Sequence, residues 1–363
     1  MPITEQALLT ALSSVQDPHT GQDFVSTRAL RNLRIEGSSV AFDVEMGYPA
    51  NSLVPALRSA FTAAAQAVPG VGDVSVTFSS KVVAHAVQRG VQLLPGVKNV
   101  IAVASGKGGV GKSTTAVNLA LALAAEGANV GLLDADIYGP SQPTMTGTSG
   151  PPESLDGKTM EPQRALGLQI NSIGFLVKEE QAMIWRGPMA SQALEQLITQ
   201  TRWDNLDYLI VDMPPGTGDV QLTLAQKVPV TGAVIVTTPQ DIALIDARKG
   251  ITMFQKVGIP ILGIVENMAV HVCSNCGHVE HIFGADGGKH LAAANGMDYL
   301  GALPLALSIR EQADSGRPTV ATDPEGEVAA LYKAIARTVA VKVAQQAKDF
   351  SSRFPTITVS KNT

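Results

Sequence analysis

The sequence predicts an α/β protein in which a small α+β domain precedes a doubly wound, mostly parallel sheet. From residue 99 onward, five apolar runs without alternation are separated by helix-like segments; the runs are VIAVAS, VGLLDAD, YLIVDMP, GAVIVTTP and ILGIVENM. Continuous apolar strands that alternate with helices indicate a parallel sheet covered on both faces. Before residue 80, apolar and polar residues instead alternate, as they do in a half-buried strand.

The small domain is predicted at residues 1–80. Its expected elements are a helix at 4–15, a strand at 40–46, a helix at 52–68 and a strand at 74–78. The first helix stops before Asp17-Pro18, because proline disfavours helix in the residue before it. Pro55 is tolerated in the first turn of the second helix, where its missing N–H has no helical partner to lose.

The rest of the chain divides by composition. Residues 81–97 contain Gly90 and Pro95-Gly96 and are expected to form a linker. Residues 98–345 carry the apolar runs and form the predicted sheet domain, and residues 346–363 lack periodicity and are expected to be a C-terminal tail. A chain of 363 residues suggests two domains, and 45% hydrophobic residues supply a sizeable core.

Charge and composition exclude several classes of protein. The net charge of −5 argues against bulk nucleic-acid binding, which needs a basic surface. No apolar stretch is long enough to span a bilayer, and the first residues, MPITEQALLT, lack the features of a signal peptide. We therefore expect a cytoplasmic protein with neither a nucleic acid nor a membrane as its partner. Cys273 and Cys276 are the two cysteines of the chain, so disulfides do not hold it together.

A phosphate-binding loop follows the first apolar run and opens a helix, which is the strand–loop–helix context that the motif G-x-x-x-x-G-K-[ST] requires. The candidate nucleotide-binding residues are Gly106, Lys107, Gly108, Gly109, Val110, Gly111, Lys112, Ser113 and Thr114. Backbone N–H groups of such a loop converge on phosphate oxygens at a helix N-terminus. Lys112 is expected to reach the β- and γ-phosphates of ATP, and Ser113 to bind Mg²⁺. The alternative is a glycine-rich turn with a chance lysine.

A second lysine, Lys107, distinguishes this loop from an ordinary one. The segment GKGGVGKSTT resembles the deviant Walker A loop of the MinD, ParA and nitrogenase iron protein class. The resemblance implies that Lys107 reaches across a dimer to the nucleotide of the partner subunit. A cation in that place would neutralise developing phosphate charge only when a second subunit arrives. The alternative is a solvated surface lysine.

Polar side chains follow three of the other apolar runs. The resemblance to the same class implies that Asp136 lies in switch I and orients the attacking water, with Asp134 two residues before it. Lys107, Lys112 and Asp136 are therefore the catalytic candidates. Asp212 ends a Walker B strand and is expected to hold Mg²⁺ through its water shell, followed by a switch II segment, PPGTGD. Asn267 stands where the class recognises adenine. Each aspartate could instead cap a helix or turn.

The pair Cys273 and Cys276 can bind one metal centre together. Structural zinc and 4Fe–4S clusters both take four ligands, and one chain offers two thiolates. A symmetric dimer would double them to the four cysteines of a 4Fe–4S cluster. Two other interpretations stay open: a redox pair or no ligand, and a zinc site within one chain that uses a histidine. The histidines within reach along the sequence are His271, His278 and His281.

The whole motif set resembles the Mrp/Nbp family of ATP-dependent iron–sulfur carriers over residues 95–345. The motifs that carry the resemblance are GKGGVGKST at 106–114, LLDADIYGPS at 132–141, WRGPM at 185–189, DMPPGTGD at 212–219, ENM at 266–268 and CSNCG at 273–277. The small domain resembles one fused ahead of bacterial members, although His19 follows its Asp-Pro pair and it has no cysteine. We therefore do not expect that domain to bind metal directly.

The resemblance implies a homodimer that hydrolyses ATP, binds a 4Fe–4S cluster on Cys273 and Cys276, and delivers it to apo iron–sulfur proteins after loading by cluster donors. The leading alternative is a MinD/ParA-like positioning ATPase switch, and a further one is an ATP-driven electron donor. The segment SSRFPTITVSKNT lacks the basic amphipathic helix that a membrane-targeted switch needs. Brown colour after anaerobic reconstitution would favour the carrier.

Overall fold

A computed structural model describes residues 3–88, 91–176 and 187–346. Trp185 of the WRGPM motif, and all of the predicted tail after residue 346, lie outside these residues. Within the part of the chain that is described, no helix is long and apolar enough to cross a membrane.

The small domain is a three-stranded sheet covered by two helices. Its elements are α1 (Glu5–Leu12), β1 (Leu30–Glu36), β2 (Ser39–Met46), α2 (Val54–Gln66) and β3 (Val74–Ser80). The central strand β2 pairs with β1 antiparallel and with β3 parallel. Phe42 of β2, Phe61 of α2 and Leu8 of α1 are fully buried in its core.

The strand β1 is absent from the sequence prediction, and its irregularity explains why. The pairing register of β1 with β2 shifts between Arg31 and Arg34, and Asn32 adopts a left-handed φ of 53°. Because the bulge adds residues to one strand, apolar side chains no longer alternate with period two. The few apolar residues of β1 therefore do not show the alternation that predicts a strand.

The larger domain is built on a nine-stranded sheet with helices on both faces. Its strands are β4 (Val97–Ala104), β5 (Val130–Asp134), β6 (Gln163–Ala165), β7 (Leu168–Ser172), β8 (Leu206–Asp212), β9 (Gly232–Thr237), β10 (Ile261–Val272), β11 (Val279–Glu280) and β12 (Tyr299–Pro304). Its helices are α3 (Lys112–Ala125), α4 (Gln142–Thr146), α5 (Gly187–Thr199), α6 (Asp219–Lys227), α7 (Asp241–Lys256), α8 (Gly287–Ala294), α9 (Leu307–Asp314), α10 (Thr319–Thr322) and α11 (Glu327–Ala344). The order of the main path is β11-β10-β9-β4-β8-β5-β7-β6, and β12 lies beside β10.

The five apolar runs form the neighbouring parallel strands β5, β8, β4, β9 and β10, as predicted. Parallel strands end at one edge of a sheet, so the polar segments that follow them meet there. The strand β7, which was not predicted, buries three polar side chains: Gln169, Asn171 and Ser172. Gln169 bonds to the backbone of Asp204, and Asn171 bonds to Thr201, so its apolar run is interrupted.

The core of the small domain is continuous with one of the two hydrophobic clusters of the larger domain, and a buried group of polar side chains also connects the domains. Glu126, at the end of α3, is 1% exposed and accepts hydrogen bonds from Arg337 at 2.6 Å and from the Ser52 hydroxyl at 2.6 Å. Arg337 of α11 also donates to Ser52 and to His19 of the small domain. The small domain is thus attached to the end of the helix that begins with Lys112.

Candidate functional site

The loop between β4 and α3 is folded tightly, and its glycines are required by its geometry. Gly109 and Gly111 have φ values of 81° and 80°, which favour glycine. A Cβ at Gly106 would lie 2.1 Å from the backbone of Asp246, and one at Gly111 would lie 2.1 Å from Nδ2 of Asn267. The loop therefore folds into a compact cradle that ends at the N-terminus of α3, where a phosphate is favoured.

Lys112 brings the predicted catalytic and metal-binding groups together. Its Nζ lies 2.5 Å from Oδ1 of Asp212, 3.1 Å from Oγ of Ser113 and 3.5 Å from Oδ2 of Asp136. Lys112 and Asp212 are both buried. Four residues from three separate chain segments thus converge at the carboxyl edge of the sheet, beside the phosphate cradle.

The structure separates the two neighbouring aspartates by their contacts. Asp134 is fully buried and accepts hydrogen bonds from the backbone N–H groups of Asp136, Ser141 and Gln142 at 3.0–3.1 Å. The hydroxyl of Ser172 donates a further bond to Asp134 at 3.0 Å. Asp134 therefore holds the loop that follows β5 in shape, whereas the carboxylate of Asp136 faces Lys112.

Negative charge accumulates at this edge of the sheet. Burial and the charge of Asp212 raise the pKa of Asp134 to about 7. Burial also raises the pKa of Asp136, and the Lys112 ammonium group opposes that rise. Hydroxyl and carboxylate oxygens are the ligands that Mg²⁺ prefers, and this edge of the sheet offers one of each in Ser113 and Asp212. Ser113 and Asp212 would hold that ion, which when bound would neutralise charge on the ATP phosphates.

Gln142, which no sequence motif marks, also belongs to this group. Its side chain is fully buried, and its Nε2 donates to Oδ2 of Asp212 at 2.8 Å and to the carbonyl of Ser113 at 3.0 Å. One side chain thus contacts both residues of the predicted magnesium site.

The two remaining nucleotide candidates differ in burial. Lys107 is exposed, and its carbonyl accepts a hydrogen bond from the Ser105 hydroxyl at 2.9 Å. Asn267 is buried, and its Nδ2 donates to the carbonyl of Val110 at 2.9 Å. The side chain of Asn267 therefore braces the phosphate loop, and a contact of Asn267 with adenine stays a prediction.

The cysteine pair lies in the turn of a hairpin between β10 and β11. The N–H of Cys273 donates to the carbonyl of His278 at 2.9 Å, and the N–H of Gly277 donates to the carbonyl of Cys273 at 2.8 Å. Hydrogen bonds from the N–H groups of Cys276 and Asn275 lower the pKa of the Cys273 thiol. Cys276 is exposed and Cys273 is half-buried, so both sulfur atoms lie at or near the surface of the turn.

The nearby histidines do not complete a metal site. Nδ1 of His271 lies 3.0 Å from the carbonyl of Leu305, and Nδ1 of His281 lies 2.8 Å from that of Ala269. Among residues 3–88, 91–176 and 187–346, no three histidines, cysteines or acidic residues are placed to hold a metal ion together. The described residues of one chain therefore do not assemble the alternative zinc site.

Exposed apolar side chains lie before and after the cysteine turn and in the N-terminal part of α7. We call them the hairpin patch: Ile242, Ile245, Val272, Val279 and Ile282. The segment after Ile282 packs on the start of α7, where a Cβ at Gly284 would lie 3.8 Å from Pro239. The other side of α7 contacts Gly106 through the backbone of Asp246. The N-terminal part of α7 therefore lies between the phosphate loop and the segment that follows the hairpin.

Comparison with known families matches both domains. The family model described as "NUBPL iron-transfer P-loop NTPase" matches residues 96–340. A second model, described as "Iron-sulfur cluster assembly protein", matches residues 5–78. An iron-sulfur cluster carrier protein of Salmonella typhimurium is 50% identical over 344 residues, which are 94% of this chain and 93% of that protein.

Solved structures agree with the fold. A nucleotide-binding protein from Archaeoglobus fulgidus, determined in complex with ADP, is 38% identical, has a TM-score of 0.55, and covers 61% of this chain and 88% of its own. The cell division ATPase MinD of Pyrococcus furiosus is 22% identical with a TM-score of 0.52, covering 66% of this chain and 98% of its own. The predicted fold, a mostly parallel sheet of the P-loop NTPase class behind a small domain, is confirmed.

Proposed function

We propose that this chain, which belongs to the family of iron-transfer P-loop NTPases, is an ATP-dependent carrier of 4Fe–4S clusters that works as a homodimer. One observation carries the proposal most directly: a single strand, β10, serves both predicted sites. Asn267 of β10 bonds to the phosphate loop, and the strand ends at Val272, immediately before Cys273. Five residues lie between Asn267 and Cys273, and the six residue steps span at most about 20 Å of extended chain. A change at the nucleotide therefore has a short covalent path to the cysteines.

The nucleotide site has the parts that hydrolysis of ATP to ADP and phosphate needs. The loop 106–111 and Lys112 supply N–H donors and a positive charge for the phosphates. Ser113 and Asp212 meet where Mg²⁺ would bind, and Asp136 is close enough to Lys112 to orient a water on the γ-phosphate. Lys107, which is exposed, can add its charge from the partner subunit.

The cluster site rests on ligand number. A 4Fe–4S cluster takes four thiolates, and each chain offers Cys273 and Cys276 in one exposed turn. Two such turns related by two-fold symmetry would complete the set. The lowered pKa of Cys273 favours the thiolate that iron requires.

The hairpin patch supports the same dimer. Its five side chains are more than half exposed. Val272 and Val279 pair across the hairpin that carries the cysteine turn. Ile242 and Ile245 belong to α7, whose Asp246 lies against Gly106 of the phosphate loop. Several exposed apolar side chains on one hairpin and a neighbouring helix favour an interface at this part of the surface. A second copy of the chain placed on this patch would bring the cysteine turns together and would place Lys107 near the other nucleotide. Cluster donors and apo iron–sulfur proteins would then meet the dimer from outside.

The experiment is anaerobic reconstitution followed by transfer. Purified protein is loaded with iron and sulfide, and iron, labile sulfide and ADP release are measured per chain. Cluster transfer to an apo enzyme that requires a 4Fe–4S cluster is then followed with ATP and with a non-hydrolysable analogue. A carrier activates the apo enzyme, and the rate responds to the nucleotide. A protein that hydrolyses ATP but remains colourless would instead favour the positioning switch. Reversible reduction of a bound cluster in step with hydrolysis, without transfer, would favour the electron donor.

A further inference from the structure

Gln142 is the first residue of α4, and its amide orientation is fixed by its surroundings. One end of the amide lies 2.8 Å from Oδ2 of Asp212 and 3.0 Å from the carbonyl oxygen of Ser113. Both neighbours are acceptors, so the atom that faces them has to be the NH₂ nitrogen, which has two protons to donate. The nitrogen satisfies both neighbours at once.

The other end of the amide is a buried acceptor. Among the described residues, Oε1 of Gln142 has no hydrogen-bond partner although the side chain is fully buried. Oε1 is bonded to the same carbon as Nε2, so it also lies beside Asp212. Buried polar atoms normally have a partner, and those that do not call for a functional explanation.

The backbone holds this amide in place. The N–H of Gln142 donates to Oδ2 of Asp134 at 3.0 Å, and its carbonyl accepts a bond from the Thr146 hydroxyl at 2.7 Å. Pro143 follows within the first turn of α4, where its ring restrains the backbone. Gln142 is therefore set before any ligand contacts it, which is the condition for precise support of a metal site.

We infer that Gln142 is a positioning residue for the magnesium ion of the proposed ATP hydrolysis. Nε2 orients the carboxylate of Asp212, and Oε1 is the acceptor for a water molecule in the hydration shell that Mg²⁺ keeps. The inference rests on the proposed function, which supplies ATP and Mg²⁺. The role of Gln142 itself is argued from its contacts with Asp212 and Ser113. If Gln142 merely packs α4 against the phosphate loop, its loss would lower stability and leave metal affinity unchanged.

The test measures metal binding apart from turnover. Mn²⁺ replaces Mg²⁺, and free Mn²⁺ is followed by electron paramagnetic resonance while protein with bound ADP is titrated. Gln142→Leu is expected to weaken Mn²⁺ binding by roughly 10- to 100-fold, the effect typical of lost support around a metal ligand. The affinity for a fluorescent ADP analogue in EDTA should change by less than about twofold, because the phosphate cradle keeps its N–H donors and Lys112.

Gln169 provides the matched control. It is a buried glutamine of β7 whose two amide atoms bond to the backbone of Asp204. Gln169→Leu should lower the melting temperature without changing Mn²⁺ affinity. If Gln142→Leu does not fold, Gln142→Met, which keeps the length of the side chain, provides the same measurement.

Unchanged Mn²⁺ affinity in a folded Gln142 variant would overturn the inference, as would an equal loss of ADP affinity with and without metal. The proposed function fails separately, if the wild-type protein does not hydrolyse ATP while its Mn²⁺ binding still depends on Gln142.

Discussion

The ammonium group of Lys112 lies 2.5 Å from the carboxylate of Asp212, and both groups are buried. The first residue is predicted to bind phosphate and the second to bind Mg²⁺ through water. Their contact places the two predicted ligand sites at one point of the sheet edge. It also means that each charge stabilises the other, because a buried charge without a partner is costly.

Lys112→Ala is expected to abolish ATP hydrolysis, with a loss of about 100-fold or more, since the lysine supplies charge to the phosphates. Phosphate release at saturating ATP measures it, and circular dichroism checks that the chain remains folded. Iron loading of the distant cysteine turn should persist. The matched control is Lys107→Ala, which removes an exposed lysine from the same loop. This variant should still bind ATP, but its turnover should no longer increase with protein concentration. Wild-type turnover in Lys112→Ala would rule out the phosphate-site assignment.

Asp136→Ala is expected to lower hydrolysis at least tenfold while ATP affinity changes little, because its carboxylate is assigned to the attacking water. Single-turnover hydrolysis and equilibrium ATP binding separate the two effects. Asp134→Asn is the comparison. An amide NH₂ at this position would face backbone N–H donors, so this variant should lose about 1–3 kcal/mol of unfolding free energy. A large loss of ATP affinity in Asp136→Ala with unchanged single-turnover hydrolysis would contradict the assignment of Asp136 to the attacking water.

Reconstituted protein is expected to hold about one 4Fe–4S cluster per two chains, by the ligand count given above. Cys273→Ala and Cys276→Ala each remove two of the four ligands of a dimer, so iron and labile sulfide should fall sharply in both. ATP binding should persist. Iron and sulfide analysis together with sedimentation gives the number of clusters per chain. A full cluster on a monomer, or zinc without sulfide, would contradict a cluster shared between two subunits.

The double substitution Ile242→Ser and Ile245→Ser is expected to weaken the dimer about tenfold or more, since each isoleucine would lose apolar burial at the interface. Both side chains are exposed in one chain, so the monomer should keep its melting temperature. Leu155→Ser, another exposed apolar residue outside the hairpin patch, should leave the dimer unchanged. Analytical ultracentrifugation in the presence of ATP measures the dimer affinity of the wild type, the double variant and Leu155→Ser. Equal affinity in these three proteins would mean that the interface lies elsewhere.

Arg337→Ala is expected to lower the free energy of unfolding by about 3 kcal/mol, because it leaves the buried carboxylate of Glu126 without its cation. Arg310→Ala is the control: Arg310 pairs with Asp314 on an exposed helix face, and its loss should cost less than about 0.5 kcal/mol. Urea unfolding monitored by tryptophan fluorescence measures both. Equal stability of the two variants would mean that the joint between the domains contributes little.

Several features were predictable because the residues that define them are close together in the sequence. Residues 106–114 need their glycines and lysines next to one another, and the strands β4, β5, β8, β9 and β10 are continuous apolar runs. The resemblance to iron–sulfur carriers is likewise confirmed, since it rests on the order of such local motifs. Local pattern failed at β1 because of its bulge, and at β7 because buried polar side chains interrupt its apolar run.

The sequence by itself determined the fold class, the phosphate loop and the family, because periodicity and contiguous motifs are local properties of a chain. Only the tertiary structure decided which aspartate faces Lys112, that Asn267 braces the phosphate loop, and that Gln142 contacts Asp212 across 70 residues. The same holds for the contact of Arg337 with Glu126 across 211 residues. Such pairs are brought together by strand order and helix packing, and no spacing along the chain encodes them.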